Sequence, residues 1–172
     1  KEALEYTLKI KIADIESTSA EVTNAAYYQE IVLKISKTAE KKKESVLLTN
    51  VKDWIFTFMT GVENSASNSV AGTGTNDVAT NGVPFWLTVD FKEVKNVTGV
   101  QTTHWGAGYA PSKVEIFSSE NGDDWVSIGQ WDTKGRTQTI TFDERVKTRY
   151  LKYQMITVPS RVDITRFYIY AW

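Results

Sequence analysis

The chain has 172 residues, the size of one domain or of one domain with a short addition. Its 20 basic and 21 acidic residues nearly cancel, so there is no broad positive field to attract nucleic acid or anionic lipid, and neither is predicted as a partner. The absence of cysteine excludes disulfides, thiol nucleophiles and thiolate metal sites. No apolar run reaches the ~20 residues that cross a bilayer, so we predict no membrane insertion by this segment.

Two segments near the N-terminus, residues 6–12 and 27–35, alternate apolar and polar side chains. This period predicts two strands with one buried face each, joined by the polar residues 17–24. Residues 37–44 are dense in charge and lack large apolar groups, which indicates an exposed linker. We therefore predict that residues 1–44 are a strand pair and linker at the end of a preceding β domain, in a longer chain whose neighbouring domains are further partners.

The remaining residues, 45–172, have the pattern of a single all-β domain. Short apolar segments are separated by turn signals, such as Asn121 and Gly122, at intervals of roughly ten residues. Residues 61–82 are rich in Ser, Asn, Thr and Gly and predict a long loop. The predicted fold class is an all-β jelly-roll β-sandwich with an N-terminal strand pair. Its predicted strands cover residues 54–59, 85–91, 97–103, 113–118, 125–131, 137–142, 148–156 and 162–170.

Several segments of this second region follow one another in a recognisable order. Residues 84–91 contain a Trp followed four positions later by Asp, residues 114–125 form a strand, a Gly-containing turn and then a Trp, and residues 149–152 read Arg-Tyr-Leu-Lys. Together with the early loop at 64–72 and the closing segment at 167–170, this order resembles the discoidin, or coagulation factor 5/8 type C, family. The resemblance implies a galactose-binding-domain-like fold. Many members, notably the family 32 carbohydrate-binding modules, bind sugars, and others bind lipid head groups or proteins.

The resemblance also implies roles for individual residues of the scaffold. Trp86 and Trp125 fall where family members bury a tryptophan, and Arg149 falls at the place of a structural arginine. We assign Trp131 to the core by default. These side chains are therefore expected to stabilise the sandwich rather than to bind a ligand.

The N-terminal region has a fainter resemblance of its own. It is similar to the end of a β-rich domain of unknown function that precedes discoidin modules in surface proteins of gut Bacteroidetes. That resemblance implies an exported lipoprotein that works on host or dietary glycans. The expected location is therefore extracellular or at the cell surface.

Calcium is the cofactor that the family resemblance brings into question. Family members commonly hold Ca²⁺ with carbonyls and an Asp of the early loop and with a Glu near the last strand, because this ion prefers six or more oxygen ligands. Here the Asp position is Ala71, and the Glu position falls at Thr165 and Arg166, where a positive side chain would repel the ion. We therefore predict no metal ligands and no cofactor, although Asp77 and loop carbonyls leave a different Ca²⁺ site open.

A candidate sugar site follows the predicted strand at 97–103. Sugar recognition needs an aromatic face for the C–H side of the ring and polar groups for its hydroxyls. His104, Trp105 and Tyr109 lie here among glycines, and His104 is the only histidine of the chain. The family resemblance points to the same loop, which often carries an Arg or His that bonds the sugar. In the alternative interpretation, Trp105 caps the sandwich and His104 bonds a neighbouring carbonyl.

Three further residues complete the candidate ligand-binding set. Arg161 lies in the connection between the last two predicted strands and could donate paired hydrogen bonds to hydroxyls or to a carboxylate. Asn81 and Phe85 lie at the end of the long early loop. Arg161 could equally be a surface arginine without function.

Catalysis has little support in the sequence. No Gly-x-Ser-x-Gly motif accompanies His104, and no spacing singles out a pair of carboxylates for glycoside hydrolysis. We therefore predict a non-catalytic carbohydrate-binding module of an exported bacterial surface or glycan-degrading protein, with a glycan as its partner. The alternative is a protein adhesion or assembly module that binds no glycan.

Overall fold

The computed structural model describes the backbone of two N-terminal strands, Glu5–Lys11 (β1) and Glu30–Ser36 (β2), and all of residues 44–172. The chain divides into two compact units, Lys1–Lys43 and Glu44–Trp172. That the first unit belongs to a separate preceding domain stays a prediction.

Within the first unit, β1 and β2 pair antiparallel, with Leu8 opposite Leu33. The predicted N-terminal strand pair is therefore present. The predicted connection at 17–24 and residues 37–43 of the predicted linker lie outside the described residues.

The regular secondary structure of the second unit is strand, apart from one short 3-10 helix at Ala107–Tyr109. Among residues 44–172, no helix is long and apolar enough to cross a membrane. The strands are Val46–Leu48 (β3), Ile55–Phe58 (β4), Val78–Thr80 (β5), Trp86–Thr103 (β6), Lys113–Ser119 (β7), Val126–Asp132 (β8), Thr137–Thr157 (β9), Val162–Ile164 (β10) and Arg166–Ala171 (β11).

The long strands β6 and β9 hold the sandwich together because each bends and contributes to both layers. The first part of β6 pairs with β4 and with the end of β9, and its last part pairs with β11 and with the start of β9. β7 and β8 extend the first layer beyond β9, β3 extends the second beyond β11, and β5 pairs separately with β10. The predicted all-β jelly-roll sandwich is confirmed.

Both long strands change direction at what we call the corner, residues 91–95 of β6 and 142–146 of β9. The register of β6 against β9 shifts between Asp90 and Lys95, and Lys92 adopts a φ of 67°. Buried and exposed side chains alternate on either side, while residues 92–94 and 143–145 are exposed. The corner is therefore the place where each strand leaves one layer and enters the other.

The core lies between the two layers and is built from the inward residues of these alternating strands. Phe167 of β11 contacts both Phe56 of β4 and Tyr153 of β9 edge-on, with ring centroids 6.1 and 5.9 Å apart. Because β4 and β11 belong to different layers, these contacts fix the layers against each other. The largest fully buried side chains are Tyr153, Phe85, Phe91, Phe167, Leu87, Ile116, Leu151, Met155, Ile164 and Ile169.

The predicted strands differ from the observed ones in the two long strands and in the early loop. The predicted strands at 85–91 and 97–103 are one continuous strand, β6, and those at 137–142 and 148–156 are one strand, β9. The predicted loop at 61–82 contains β5, whose three residues are all buried. A strand buried on both faces shows no period of two, which is why the pattern did not predict it.

Arg149 contacts Asp90 beside the corner, in keeping with its predicted structural role. Its Nε and Nη2 donate to the two Asp90 carboxylate oxygens, each at 2.9 Å. This bidentate hydrogen bond from Arg149 lowers the pKa of Asp90 below its usual value.

Trp86 and Trp125 depart from the prediction that they are buried, because both are partly exposed. The Lys152 ammonium lies 5.2 Å from the centre of the Trp86 ring, a cation–π contact at the surface.

Candidate functional site

Hydrogen bonds join three connections at the end of the sandwich away from the corner, which we call the loop end. The His104 amide donates to the Arg136 carbonyl at 2.9 Å, the Ser112 amide to the Thr157 carbonyl at 2.8 Å, and the Thr133 amide to the Ser112 carbonyl at 2.9 Å. The connections after β6, β8 and β9 therefore meet here. Most of the predicted site residues lie on these connections.

Trp105 and Tyr109 present their rings to solvent at the loop end. Their exposed fractions are 62% and 40%, large for aromatic side chains. The Trp105 amide donates to Asp163 Oδ1 at 2.9 Å, and the Tyr109 amide donates to the Gly106 carbonyl at 3.1 Å. The rings are therefore carried by a backbone with internal hydrogen bonds, and they offer apolar faces that contact water in the free protein.

His104 lies beneath this surface and is fully buried. Its Nδ1 contacts the Asp163 carbonyl oxygen at 2.5 Å, and its Nε2 lies 3.2 Å from Thr102 Oγ1. A carbonyl can only accept, so Nδ1 carries the proton and Nε2 accepts from the hydroxyl. Burial lowers the pKa of His104 to about 4, so the ring is neutral at pH 7. Its predicted direct contact with a sugar is not available in this structure, because both nitrogens are engaged inside the protein.

Asp163 is a buried acid that holds this loop, and it is not among the residues predicted from the sequence. It is 1% exposed, its Oδ1 accepts the Trp105 amide, and its Oδ2 has no hydrogen-bond partner among the described residues. Burial raises the pKa of Asp163 to about 6. The signal in the sequence was an acidic residue between two apolar ones in the short segment Val162–Ile164, an unusual place for a charge.

Arg161 lies in a polar cluster that the structure builds from three different segments. Its Nη1 donates to Glu63 Oε2 at 2.8 Å and to Asn81 Oδ1 at 3.3 Å, and its Nη2 donates to Asp77 Oδ2 at 3.2 Å. The Asn81 amide also donates to Glu63 Oε1 at 3.1 Å. The hydrogen bond to Glu63 is the main cause that raises the pKa of Arg161. The structure therefore brings the predicted Arg161 and Asn81 together. It adds Glu63, which the sequence did not indicate, and Asp77, which the sequence suggested only as a calcium ligand.

The cluster and the aromatic loop are linked through Asp163. The positive charge of Arg161 acts to lower the pKa of Asp163, and the negative charge of Asp77 acts to raise it. With Glu63, the loop end holds three carboxylates around one guanidinium. This group of four side chains carries a net negative charge while its acids are ionised.

Phe85, the last of the predicted ligand-binding residues, belongs to the core. It is 1% exposed, and its carbonyl accepts the Met155 amide at 2.9 Å. The alternation of β6 explains this: Phe85 precedes the strand in phase with the inward Leu87 and Val89. We therefore leave Phe85 out of the site.

The residues at the early loop do not fit a calcium ion. Arg166 Nη1 donates to the Ser69 carbonyl and Nη2 to the Gly74 carbonyl, both at 2.8 Å, so a guanidinium occupies the space in which those oxygens converge. Ala71 supplies no carboxylate. In the part of the chain that the structure describes, no three His, Cys, Asp or Glu side chains are grouped as a metal site. Asp77, an alternative ligand in the sequence analysis, is bonded to Arg161.

A cavity of about 350 Å³ lies at the corner rather than at the loop end. Trp131, Phe142 and the charged residues 143–145 contribute to its wall. The Trp131 ring lies 5.6 Å from the Phe142 ring, which is buried in the core. Trp131 is thus held by the scaffold, unlike Trp105.

The fold is shared with solved sugar-binding modules. The family 32 module of NanJ from Clostridium perfringens, solved with galactose, is 21% identical over 74% of this chain and 98% of its own, with a TM-score of 0.58. CpGH89CBM32-5 from the same organism, solved with GalNAc-β-1,3-galactose, is 18% identical over 72% of this chain and 99% of its own, with a TM-score of 0.59.

Another solved structure also covers the N-terminal unit. A two-domain protein of unknown function from Bacteroides fragilis is 15% identical and covers 96% of this chain, with a TM-score of 0.61, and this chain spans 59% of its length. No curated protein matches the sequence. The model of the F5/8 type C domain matches residues 57–167, which is more than half of the chain. Together with the sandwich described above, this match shows that the chain belongs to the F5/8 type C domain family.

Proposed function

We propose that this chain is a non-catalytic carbohydrate-binding module that holds a neutral glycan at the loop end. The observation that carries the proposal is the exposed indole of Trp105, whose amide is fixed by the buried Asp163. An exposed aromatic ring on an ordered loop can cover the C–H face of a sugar, while nearby polar groups bond its hydroxyls. The two Clostridium perfringens modules described above, which were solved with galactose and with a GalNAc-galactose disaccharide, support this ligand class.

The charges of the loop end favour a neutral sugar over an acidic one. Arg161 already bonds two carboxylates, Glu63 and Asp77, so its charge is not free for a third. Asp163 adds a further negative charge close to Trp105. A glycan carboxylate placed next to this cluster would therefore meet repulsion, whereas hydroxyls can still use the remaining donors and acceptors.

A non-catalytic role agrees with the state of the ionisable groups. Glu63 and Asp77 are both engaged by Arg161, and His104 is neutral and bonded inside the protein. None of these groups has the free, paired geometry that proton transfer to a substrate requires. An open surface that covers one or two sugar rings predicts a dissociation constant of about 0.1–1 mM, strengthened by avidity in a larger protein.

The proposal extends to location. A module that binds dietary or cell-surface glycans acts outside the cytoplasm, as part of an exported surface protein or glycan-degrading enzyme. Labelling of the parent protein on intact cells by an impermeant reagent checks this part of the proposal.

A glycan array followed by titration calorimetry tests the proposed ligand. We expect the wild type to bind neutral galactose-type sugars, and galacturonic acid to bind at least about fivefold more weakly because of the repulsion described above. Trp105→Ala should lower the affinity at least about tenfold. Val126→Ala is the matched control, because Val126 is 68% exposed on β8 and is expected to be irrelevant to binding. A wild type that binds no glycan, or a Trp105→Ala variant that keeps full affinity, refutes the proposal.

A further inference from the structure

Residues 64–76 form a loop that is anchored in the core by Val70 alone and otherwise shaped by hydrogen bonds. The Thr73 amide donates to the Asn68 carbonyl at 3.1 Å, and the Gly72 amide donates to the Ser69 carbonyl at 2.9 Å. Large apolar side chains are scarce in this segment. The loop therefore depends on polar contacts for its shape.

The guanidinium of Arg166 is the centre on which the carbonyls of this region converge. Its Nη1 donates to the Ser69 carbonyl at 2.8 Å and to the Thr165 carbonyl at 2.6 Å. Its Nη2 donates to the Gly74 carbonyl at 2.8 Å. One cation thus binds three backbone oxygens, two of them from the loop and one from the residue before β11.

Arg166 is bonded to carbonyl oxygens, whereas Arg149 and Arg161 are each bonded to carboxylates. Arg149 pairs with Asp90, and Arg161 pairs with Glu63 and Asp77. Within residues 44–172, no carboxylate lies at ion-pair distance from Arg166. The charge of Arg166 is therefore balanced by carbonyl dipoles. Carbonyl oxygens balance the charge of a metal ion in the same way when they are its ligands.

The loop is shaped closely around this contact. Ser69 is fully buried, and a Cβ atom at Gly74 would lie 3.0 Å from the Ser69 backbone nitrogen. A side chain at position 74 would therefore push the two segments apart by a few tenths of an ångström. The short approach that glycine permits allows the carbonyls of Ser69 and Gly74 to face the same guanidinium.

We infer that Arg166 is a built-in cation that takes the place of a metal ion in organising the 64–76 loop. A hard cation would be held by the same carbonyl oxygens, but it would leave when it is chelated. The guanidinium is covalently attached, permanently charged and directs its N–H groups in fixed directions. The loop is therefore ordered without calcium.

This role extends to the proposed sugar site, because the loop connects two of its residues. Glu63 precedes the loop and exchanges backbone hydrogen bonds with Ala79 at 2.8 and 3.2 Å, and Asp77 follows the loop. Both carboxylates bond Arg161. Arg166 is thus a positioning residue for the cluster. Its effect on sugar affinity depends on the proposed function, whereas its effect on the loop does not.

Thermal melts of three proteins, each in EDTA and in 5 mM CaCl₂, test this inference. The wild type should change by less than about 1 °C between the two solutions. Arg166→Gln should melt several degrees lower in both, because the carbonyls lose their cation. Arg166→Glu should also melt lower in EDTA but recover at least about 3 °C in calcium, because a carboxylate beside three carbonyl oxygens forms an oxygen site that suits this ion.

Hydrogen exchange supplies a second measurement that does not depend on the glutamate variant. The Gly72 and Thr73 amides should exchange at least about tenfold faster in Arg166→Gln than in the wild type, with the amides of β7 unchanged. Arg136→Gln is the matched control, because Arg136 is exposed and donates to a single carbonyl, that of His104, at 3.1 Å. Any one of three results overturns the inference. Calcium raises the Tm of the wild type by several degrees, or Arg166→Glu folds but its Tm does not respond to calcium, or both amides exchange at the wild-type rate in Arg166→Gln. These measurements contain no sugar, so they stand apart from the test of glycan binding.

Discussion

The loop end and the corner use the same kinds of side chain in different ways. At the corner, Trp131 packs against the buried Phe142, and Arg149 pairs with Asp90 beside the bend of β6. At the loop end, the Trp105 ring is 62% exposed, and one carboxyl oxygen of Asp163 has no hydrogen-bond partner within residues 44–172. A tryptophan that packs on a buried ring stabilises the sandwich, whereas an exposed ring leaves apolar surface in water that a ligand can cover. We therefore expect substitutions at the corner to change stability and substitutions at the loop end to change binding.

The two tryptophans give the largest predicted difference. Trp131→Ala removes the contact with Phe142 and should lower the free energy of unfolding by about 2 kcal/mol. Trp105→Ala removes an exposed ring and should change it by less than about 0.5 kcal/mol, although glycan affinity is lost. Urea unfolding of both variants measures the difference. Equal losses of stability would show that Trp105 caps the core and would remove the distinction between the two ends.

Asp163 and His104 give a smaller effect that depends on pH. The pKa of Asp163 is raised to about 6 by burial, so its contribution to stability is present below its unfolded pKa near 4 and is lost as the pH rises through 6. The pKa of His104 is lowered to about 4, also by burial, so its contribution is present above its unfolded value of 6.5 and is lost as the pH falls toward 4. The two slopes oppose each other between pH 4 and 6.5, and the wild type should show a flat profile there.

Asp163→Asn separates the two titrations. The amide oxygen can still accept the Trp105 amide, but no charge is buried, so we expect a gain of about 1 kcal/mol at pH 7 and a new loss of stability as the pH falls below 6.5. Glycan affinity should stay close to that of the wild type, because the carboxyl is buried and the Trp105 amide keeps its acceptor. Urea unfolding at pH 4.5, 5.5 and 7 measures the profile. A variant less stable than the wild type at pH 7 would mean that the charge of Asp163 stabilises the fold.

The sequence predicted the scaffold better than the site, for a reason visible in particular residues. Strand positions such as Leu87 and Val89 follow a local period of two, and the family pattern around Trp86 and Asp90 is also local. Trp105 and Tyr109 could be predicted as exposed rings because they follow a strand among glycines.

The polar contacts of the site could not be found in this way. Glu63 and Asp77 meet Arg161 only because β5 pairs with β10, and β5 carries no alternating pattern. His104 was predicted to face a ligand, but it is buried and bonds the carbonyl of Asp163, far along the chain. Contacts of this kind arise from pairing between distant segments, which neither composition nor spacing reports.

The two carboxylate-bound arginines give the smallest predicted effect and the most direct comparison of the two ends. Arg149→Ala breaks a bidentate pair that involves only the scaffold, so Tm should fall by a few degrees while glycan affinity stays unchanged. Arg161→Ala leaves Glu63 and Asp77 as neighbouring like charges at the surface, so its Tm should fall less in high salt than in low salt, and glycan affinity should fall at both. Calorimetric melts at 0.05 and 0.5 M NaCl, with sugar titrations of the same samples, give both quantities. If the two variants lose glycan affinity equally, the corner contributes to recognition as much as the loop end does. Binding would then respond to any loosening of the sandwich rather than to the side chains of the loop end.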